Sequence, residues 1–205
     1  MKYHLSRTGR RAIAVMAGTA VTALAITGAA FAATSPAAPA GKTAAHVAAA
    51  PQCTAAAGQN GNVSVWVADG QGNGTAGTTY YPLEFTNLSG HACSMHGFPG
   101  VSAISRTGKQ LGSPASWGSA GGSGTPRTVI VAPGATVHAV LAYHDVGAYT
   151  PSACHPVNTT FELRVYPPDQ RGAAYAFFDL AACSHAGPAY LGVGPVKPGA
   201  GTING

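Results

Sequence analysis

Residues 79–87 read TYYPLEFTN, and their side chains alternate in character along the chain. One face of the extended chain carries Thr79, Tyr81, Leu83 and Phe85. The opposite face carries Tyr80, Glu84 and Thr86. A period of two residues is typical of a β-strand that buries one face. The stretch therefore predicts a strand whose Leu83 side packs against a core.

The same alternation recurs along the rest of the chain. It predicts strands at 62–68, 137–143 and 161–165, with shorter strands at 101–105, 128–131, 175–180 and 189–193. Turn signals such as Asp69-Gly70 and Ala132-Pro133-Gly134 separate them. Many short strands between turns predict an all-β protein, an antiparallel immunoglobulin-like β-sandwich.

The first 32 residues have the pattern of a signal peptide. A basic head is followed by an uncharged run, 12–32, that ends in Ala30-Phe31-Ala32. These features predict cleavage after Ala32 and a secreted protein with no stable membrane span afterwards. Arg10-Arg11-Ala12-Ile13 loosely resembles a twin-arginine export signal, and an uncleaved run of this length would reach across a bilayer.

Composition divides the remaining chain into three parts. Residues 33–50 are rich in Ala, Pro and Thr, and they bury too little apolar area to offset the entropy of ordering. We therefore expect a disordered linker at 33–50, a single β-sandwich domain at 51–198 and a flexible Gly-rich tail at 199–205.

The formal net charge of +5 lies in the leader and the linker. From residue 51 onward the chain has six basic and six acidic side chains, so the expected domain carries no net charge. Binding to phosphate backbones requires clustered Lys and Arg on one face. The composition therefore argues against a nucleic-acid partner.

Four cysteines in an exported chain predict two disulfides, which allow three pairings. Short loops favour Cys53 with Cys93 and Cys154 with Cys183, and each bridge is expected to stabilise the fold by about 3 kcal/mol.

Candidate catalytic groups are few. The nucleophile pattern G-x-S-x-G is absent. His144 and Asp145 are the only adjacent His–carboxylate pair, but neighbours on an extended chain point apart. Glu84 and Glu162 are the best-placed carboxylates for glycoside hydrolysis, although strand charges of this kind ordinarily face solvent. We expect no catalytic residue and no enzyme, and we keep an extracytoplasmic enzyme acting on wall polymers as the alternative.

A copper or zinc site is the second alternative. Residues 91–96 read HACSMH, and sulfur with imidazole suits either metal. If the cysteines pair, the remaining ligands are His91, Met95, His96, His155 and His185. Because no C-x-x-C spacing is present, we expect no metal and no cofactor.

Trp117 lies in a Gly- and Ser-rich stretch and is the candidate binding residue. A loop aromatic can anchor a sugar ring or a protein partner. Packing of the indole back onto the sheet is the competing interpretation.

Several motifs occur in a recurring order: 81–87 with Cys93, Gly97-Phe98-Pro99-Gly100-Val101, Ala132-Pro133-Gly134, Cys154 and 163–168. Together they resemble the actinobacterial domain-of-unknown-function family 4232, over about residues 52–196. The resemblance implies a secreted or surface-attached β-sandwich and no known activity, ligand or catalytic residue. We therefore expect a secreted or cell-envelope domain with a non-catalytic binding or structural role, whose partner is a cell-wall component or a protein.

Overall fold

The computed structural model describes residues 49–55, 61–68, 74–120, 124–158 and 160–202. The predicted signal peptide (1–32) and all but the last two residues of the predicted linker (33–50) lie outside them. The described strands are β1 Val63–Val67, β2 Gly74–Thr75, β3 Thr78–Asn87, β4 Cys93–His96, β5 Gly100–Ser105, β6 Gln110–Leu111, β7 Ser116–Trp117, β8 Thr128–Val131, β9 Thr136–His144, β10 Pro156–Val157, β11 Thr160–Tyr166, β12 Ala174–Phe177, β13 Ala182–Cys183 and β14 Leu191–Val193. A short 3₁₀ helix occupies Val146–Ala148.

The first sheet is built around β3 and β9, which pair antiparallel over nine residue pairs from Thr78↔His144 to Thr86↔Thr136. Its strand order is β1-β3-β9-β14-β7, and β2 adds a short hairpin arm to β3. The pairing of β14 with β7 is parallel, and the other pairings in this sheet are antiparallel. The strand predicted at 79–87 is thus central, with a neighbour on each side.

The second sheet has four antiparallel strands in the order β12-β11-β5-β6. Two small antiparallel pairs, β4 with β8 and β10 with β13, complete the described part of the fold. Each small pair contains one cysteine of one disulfide, Cys93 in β4 and Cys183 in β13.

The inward faces of the two sheets share one hydrophobic core. The first sheet contributes Leu83, Phe85 and Leu141, and the second contributes Leu163 and Val165, all completely buried. Each such side chain stabilises the fold by about 1.5–3 kcal/mol through removal from water. The predicted all-β class and sandwich-like packing are confirmed.

Strand prediction was accurate where alternation was strong. Residues 128–131 form a strand with the predicted bounds, and the strand predicted at 62–68 is one residue shorter at each end. The segment predicted as a strand at 175–180 ends at Phe177. The sequence did not predict β4, because its four residues are too few to display a period.

Tyr190 joins the core to the loop after β6. Its ring is completely buried, and its hydroxyl donates a hydrogen bond of 2.9 Å to the carbonyl oxygen of Leu111. The adjacent Gly112 has φ +70°, and a Cβ there would lie 2.5 Å from the Tyr190 ring. Only glycine therefore satisfies both the backbone conformation and the close approach.

Asn87 fixes the turn that carries the chain from β3 to β4. Its buried amide donates to the carbonyl oxygens of His91, at 2.8 Å, and Val131, at 2.9 Å. Its side-chain oxygen accepts from the backbone N–H of Ser89 at 3.0 Å. A buried amide with satisfied donors and acceptor holds one geometry, which places Cys93 beside Cys53.

Both disulfides have the pairing that short loops favoured. Cys53 bonds to Cys93 and Cys154 bonds to Cys183, and the described part of the chain has no free cysteine. Both bonds are buried; the first ties the segment before β1 to β4, and the second links β13 to the residues just before its partner strand β10.

Replacing both Cys53 and Cys93 by alanine should lower the free energy of unfolding by about 3–4 kcal/mol, because the bond closes a loop of 40 residues in the unfolded chain. Urea unfolding monitored by circular dichroism measures the loss. The double variant of Cys154 and Cys183 opens a loop of 29 residues and should lose slightly less. Thiols that titrate in the unreduced, denatured wild type would contradict the prediction.

Candidate functional site

Trp117 is held at the surface by the first sheet. It ends β7, where it pairs with Val193 of β14, and the next backbone N–H, of Gly118, donates to the Val193 carbonyl oxygen at 2.9 Å. Its side chain is 67% exposed. The residues before and after Trp117 in the chain, Ser116 and Gly118, are also bonded to β14. This pairing fixes the backbone from which the indole projects, whereas the sequence suggested a loop.

The ring of Phe98 packs against one face of the Trp117 indole. The two rings are stacked, with centroids 5.9 Å apart and an interplanar angle of 11°. Phe98 is itself positioned by its neighbour, because the Gly97 carbonyl oxygen accepts a 3.0 Å hydrogen bond from Val196. We call Trp117 and Phe98 the aromatic platform. One indole face is used in stacking and the residue still exposes most of its surface.

The two sequence segments that carry the aromatic platform are polar but uncharged. Residues 97–104 and 111–124 contain no charged side chain. The hydroxyls of Ser116 and Ser119 are hydrogen-bonded to each other at 2.6 Å next to Trp117. The platform therefore offers an apolar ring surface with neighbouring hydroxyl groups, on segments without charged side chains.

His144 and Asp145 do not form a catalytic pair. The His144 ring shares a 2.8 Å hydrogen bond with the Thr78 hydroxyl of the neighbouring strand. Asp145 caps the 3₁₀ helix, its carboxylate accepting from the Gly147 N–H at 2.9 Å. Each side chain thus has a structural partner of its own.

Glu84 and Glu162 occupy different sheets. Each lies at an outward position of its strand, and because the two inward faces share one core, the two carboxyl groups lie on opposite outer faces of the sandwich. The sequence predicted that both would face solvent. Glu162 is half-buried, but for Glu84 the expectation was wrong, since its side chain is only 1% exposed.

A C-terminal segment covers Glu84. Residues 198–202, which we call the C-terminal strap, follow the bridge between Lys197 and His138 and cross the outer face of the first sheet. The Gly201 N–H donates to Glu84 Oε1 at 2.8 Å, and His138 Nδ1 donates to the Gly199 carbonyl oxygen at 2.8 Å. In the described part of the tail predicted to be flexible, Gly199 and Gly201 are thus hydrogen-bonded to the sheet.

Burial leaves Glu84 in an unusual electrostatic state. Its second oxygen, Oε2, is buried and has no hydrogen-bond partner among the described residues. Loss of hydration raises the pKa of the Glu84 carboxyl, while the Gly201 N–H and then the nearby His138 lower it by less. The net direction is upward, so the closed strap favours the protonated acid.

The candidate metal ligands do not meet in the described structure. Within β4, Met95 is 2% exposed and points into the core, whereas His96 lies at an exposed position on the other face. His155 and His185 are exposed near the Cys154–Cys183 bond. Among the described residues, no three His, Cys, Asp or Glu side chains are grouped as metal ligands.

Sequence reasoning singled out Trp117 as a candidate but did not anticipate its stacking on Phe98 or the burial of Glu84. The Gly97-Phe98-Pro99-Gly100 motif signalled a turn, yet nothing local indicated that Phe98 stacks on a residue nineteen positions later. Similarly, no local pattern links Glu84 to Gly201, because the contact depends on how the chain leaves β14.

Glu84→Gln should stabilise the protein at neutral pH and flatten its pH dependence. A raised folded-state pKa means that the folded wild type loses stability as pH rises above the ordinary value of 4.5. The loss is about 1.4 kcal/mol for each unit by which the pKa is raised. Chemical unfolding between pH 4 and 8 measures it, and Glu162→Gln on the other sheet is the matched control. A wild-type stability that rises across this range relative to Glu84→Gln contradicts the assignment.

Two further findings concern membrane-spanning helices and related proteins. In the described ranges no helix has the length and apolar character needed to cross a membrane. No curated protein and no solved structure shows significant similarity to the chain.

The comparison with protein families gives one match. Residues 53–197 match the family described as "Domain of unknown function (DUF4232)". The match starts at the first cysteine of the Cys53–Cys93 bond and ends just before the C-terminal strap. It covers the two sheets and the aromatic platform, in agreement with the resemblance found in the sequence. The chain therefore belongs to domain-of-unknown-function family 4232.

Proposed function

We propose that this protein is a secreted, non-catalytic binding module of the cell envelope or the medium. Its contact surface is the aromatic platform, and its partner is an uncharged sugar ring of a cell-wall polymer. The observation that carries the proposal is the exposed, stacked indole of Trp117.

A pre-positioned aromatic ring is well suited to binding. Exposing a large indole is unfavourable in water, and covering it on complex formation recovers that free energy. Stacking on Phe98 and pairing with β14 already restrict the indole of Trp117. Binding therefore costs less side-chain entropy than it would for an unrestrained tryptophan side chain. Such rings often dominate the binding energy of an interface.

The chemistry around Trp117 favours a neutral, hydroxyl-rich ligand. A charged ligand would find no counter-ion in residues 111–124. A sugar ring presents an apolar C–H face for the indole and hydroxyls for groups such as Ser119, which is exposed beside it. The absence of net charge on the expected domain fits the same class of ligand.

A non-catalytic role is supported by the positions of the ionisable groups. Acid–base catalysis requires two such groups within hydrogen-bond reach of one substrate. His144 is bonded to Thr78, Asp145 caps a helix, and Glu84 lies under the C-terminal strap. None of these three lies at the aromatic platform.

Export is supported by two independent features. The leader at 1–32 has the charge pattern and small-residue ending of a signal peptide. Two buried disulfides are typical of proteins that fold in an oxidising compartment. A linker at 33–50 would let the domain reach away from an attachment point.

Trp117→Ala should weaken binding of the mature protein to insoluble cell-wall polymer by about tenfold or more, because the contact area of the indole is lost. Co-sedimentation over a series of protein concentrations measures the affinity. Phe98→Ala should cause a smaller loss, since it removes the support of the ring and leaves the ring itself.

Phe177→Ala is the matched control. Phe177 is 69% exposed on β12, which β11 separates from β5, the strand after Phe98, so the variant removes a comparable aromatic surface outside the platform. Its binding should equal that of the wild type. Equal losses in the Trp117 and Phe177 variants, or none in the former, would overturn the proposal.

A further inference from the structure

The outer face of the first sheet contains an acid that ordinary strand patterning would leave in water. Glu84 occupies an outward position of β3, directly across from Trp66 of β1 and His138 of β9. It is nevertheless almost completely buried, because the C-terminal strap lies over it. Burying a carboxylate without full hydrogen bonding is unfavourable unless the group takes up a proton.

The strap itself is weakly held. Within the described part of the chain, two hydrogen bonds tie residues 198–202 to the sheet, one from Gly201 to Glu84 and one from His138 to Gly199. Pro198, Gly199 and Ala200 are exposed, so the strap buries little apolar surface. Segments with few buried contacts open at low cost compared with global unfolding.

We propose that residues 198–202 form a pH-sensitive strap, closed over the first sheet when Glu84 is protonated and released when Glu84 is ionised. In the closed state Oε1 accepts the Gly201 N–H and the proton resides on Oε2. In the released state the carboxylate is hydrated, and Trp66, Glu84 and His138 share one accessible face.

The charges around Glu84 set the direction of the response. From β9 the titratable group acting on it is His138, which favours the ionised acid, and from the strap side the nearest cation in sequence is Lys197. From β1 the facing residue is Trp66, which does not titrate. Loss of hydration outweighs the effect of His138, so closing the strap takes up a proton.

The proposal is independent of the aromatic platform. It uses the end of the chain beyond the family match and requires no ligand. Its failure would leave the binding role of Trp117 untouched, and the converse also holds.

Amide hydrogen exchange of Gly201 tests the strap in the full mature protein. After correction for intrinsic exchange, protection in the wild type should fall by about tenfold per pH unit above pH 4.5 until it levels at the closed-state pKa. Glu84→Gln keeps the acceptor for Gly201 without the charge, so its protection should stay constant. A constant wild-type value, or the same pH dependence in Glu84→Gln, overturns the proposal.

Gly201→Val should hold the C-terminal strap in its released state. A Cβ at this position would lie 2.5 Å from Pro82 Cβ, so the strap cannot take its closed position over the first sheet. Carbon NMR of the Glu84 carboxyl should then show a pKa closer to 4.5 than in the wild type. Ala200→Val, at an exposed neighbouring position, should titrate like the wild type. Identical titration of Glu84 in the wild type and Gly201→Val also overturns the proposal.

Discussion

The long pairing of β3 with β9 is the constraint on which the rest of the structure depends. Nine residue pairs fix the register, and a slip of one position would exchange the buried Leu83 and Phe85 for Glu84 and Thr86. The same register places His138 opposite Glu84 and leads β9 into the 3₁₀ helix. The inward side chains of the core, the outward position of Glu84 and the pairing of β14 with β9 depend on this register.

The part of this arrangement that could be predicted is the part encoded locally. Alternation identified the central strands because each has one buried face, and turn residues marked their ends. The disulfide pairing was predictable as well, because both bonds close short loops between neighbouring elements. Trp117 could be singled out from its composition, since a lone aromatic in a Gly- and Ser-rich stretch has few local residues to pack against.

What could not be predicted depends on contacts between distant residues. The HACSMH segment suggested metal ligands, but as β4 it directs Cys93 and Met95 inward and Ser94 and His96 outward. A strand of four residues shows no period, so the sequence kept a metal site as an alternative on the strength of the cysteine and histidine residues alone. For Glu84 the local pattern led to a wrong expectation of solvent exposure. Its strand position predicted exposure, and only the path of the chain after β14 buries it.

One segment of chain serves both candidate sites. From Val193 to Lys197 it pairs with β7, bonds to Gly97 beside Phe98 and bridges to His138, which fixes the aromatic platform. Residues 198–202 have no large apolar side chain and lie over Glu84. Residues 193–197 are paired with several elements, whereas two hydrogen bonds hold residues 198–202 to the sheet in the described structure. Residues 198–202 can therefore leave the sheet without disturbing the aromatic platform. Residues 193–197 lie inside the family match, and residues 198–202 lie beyond it.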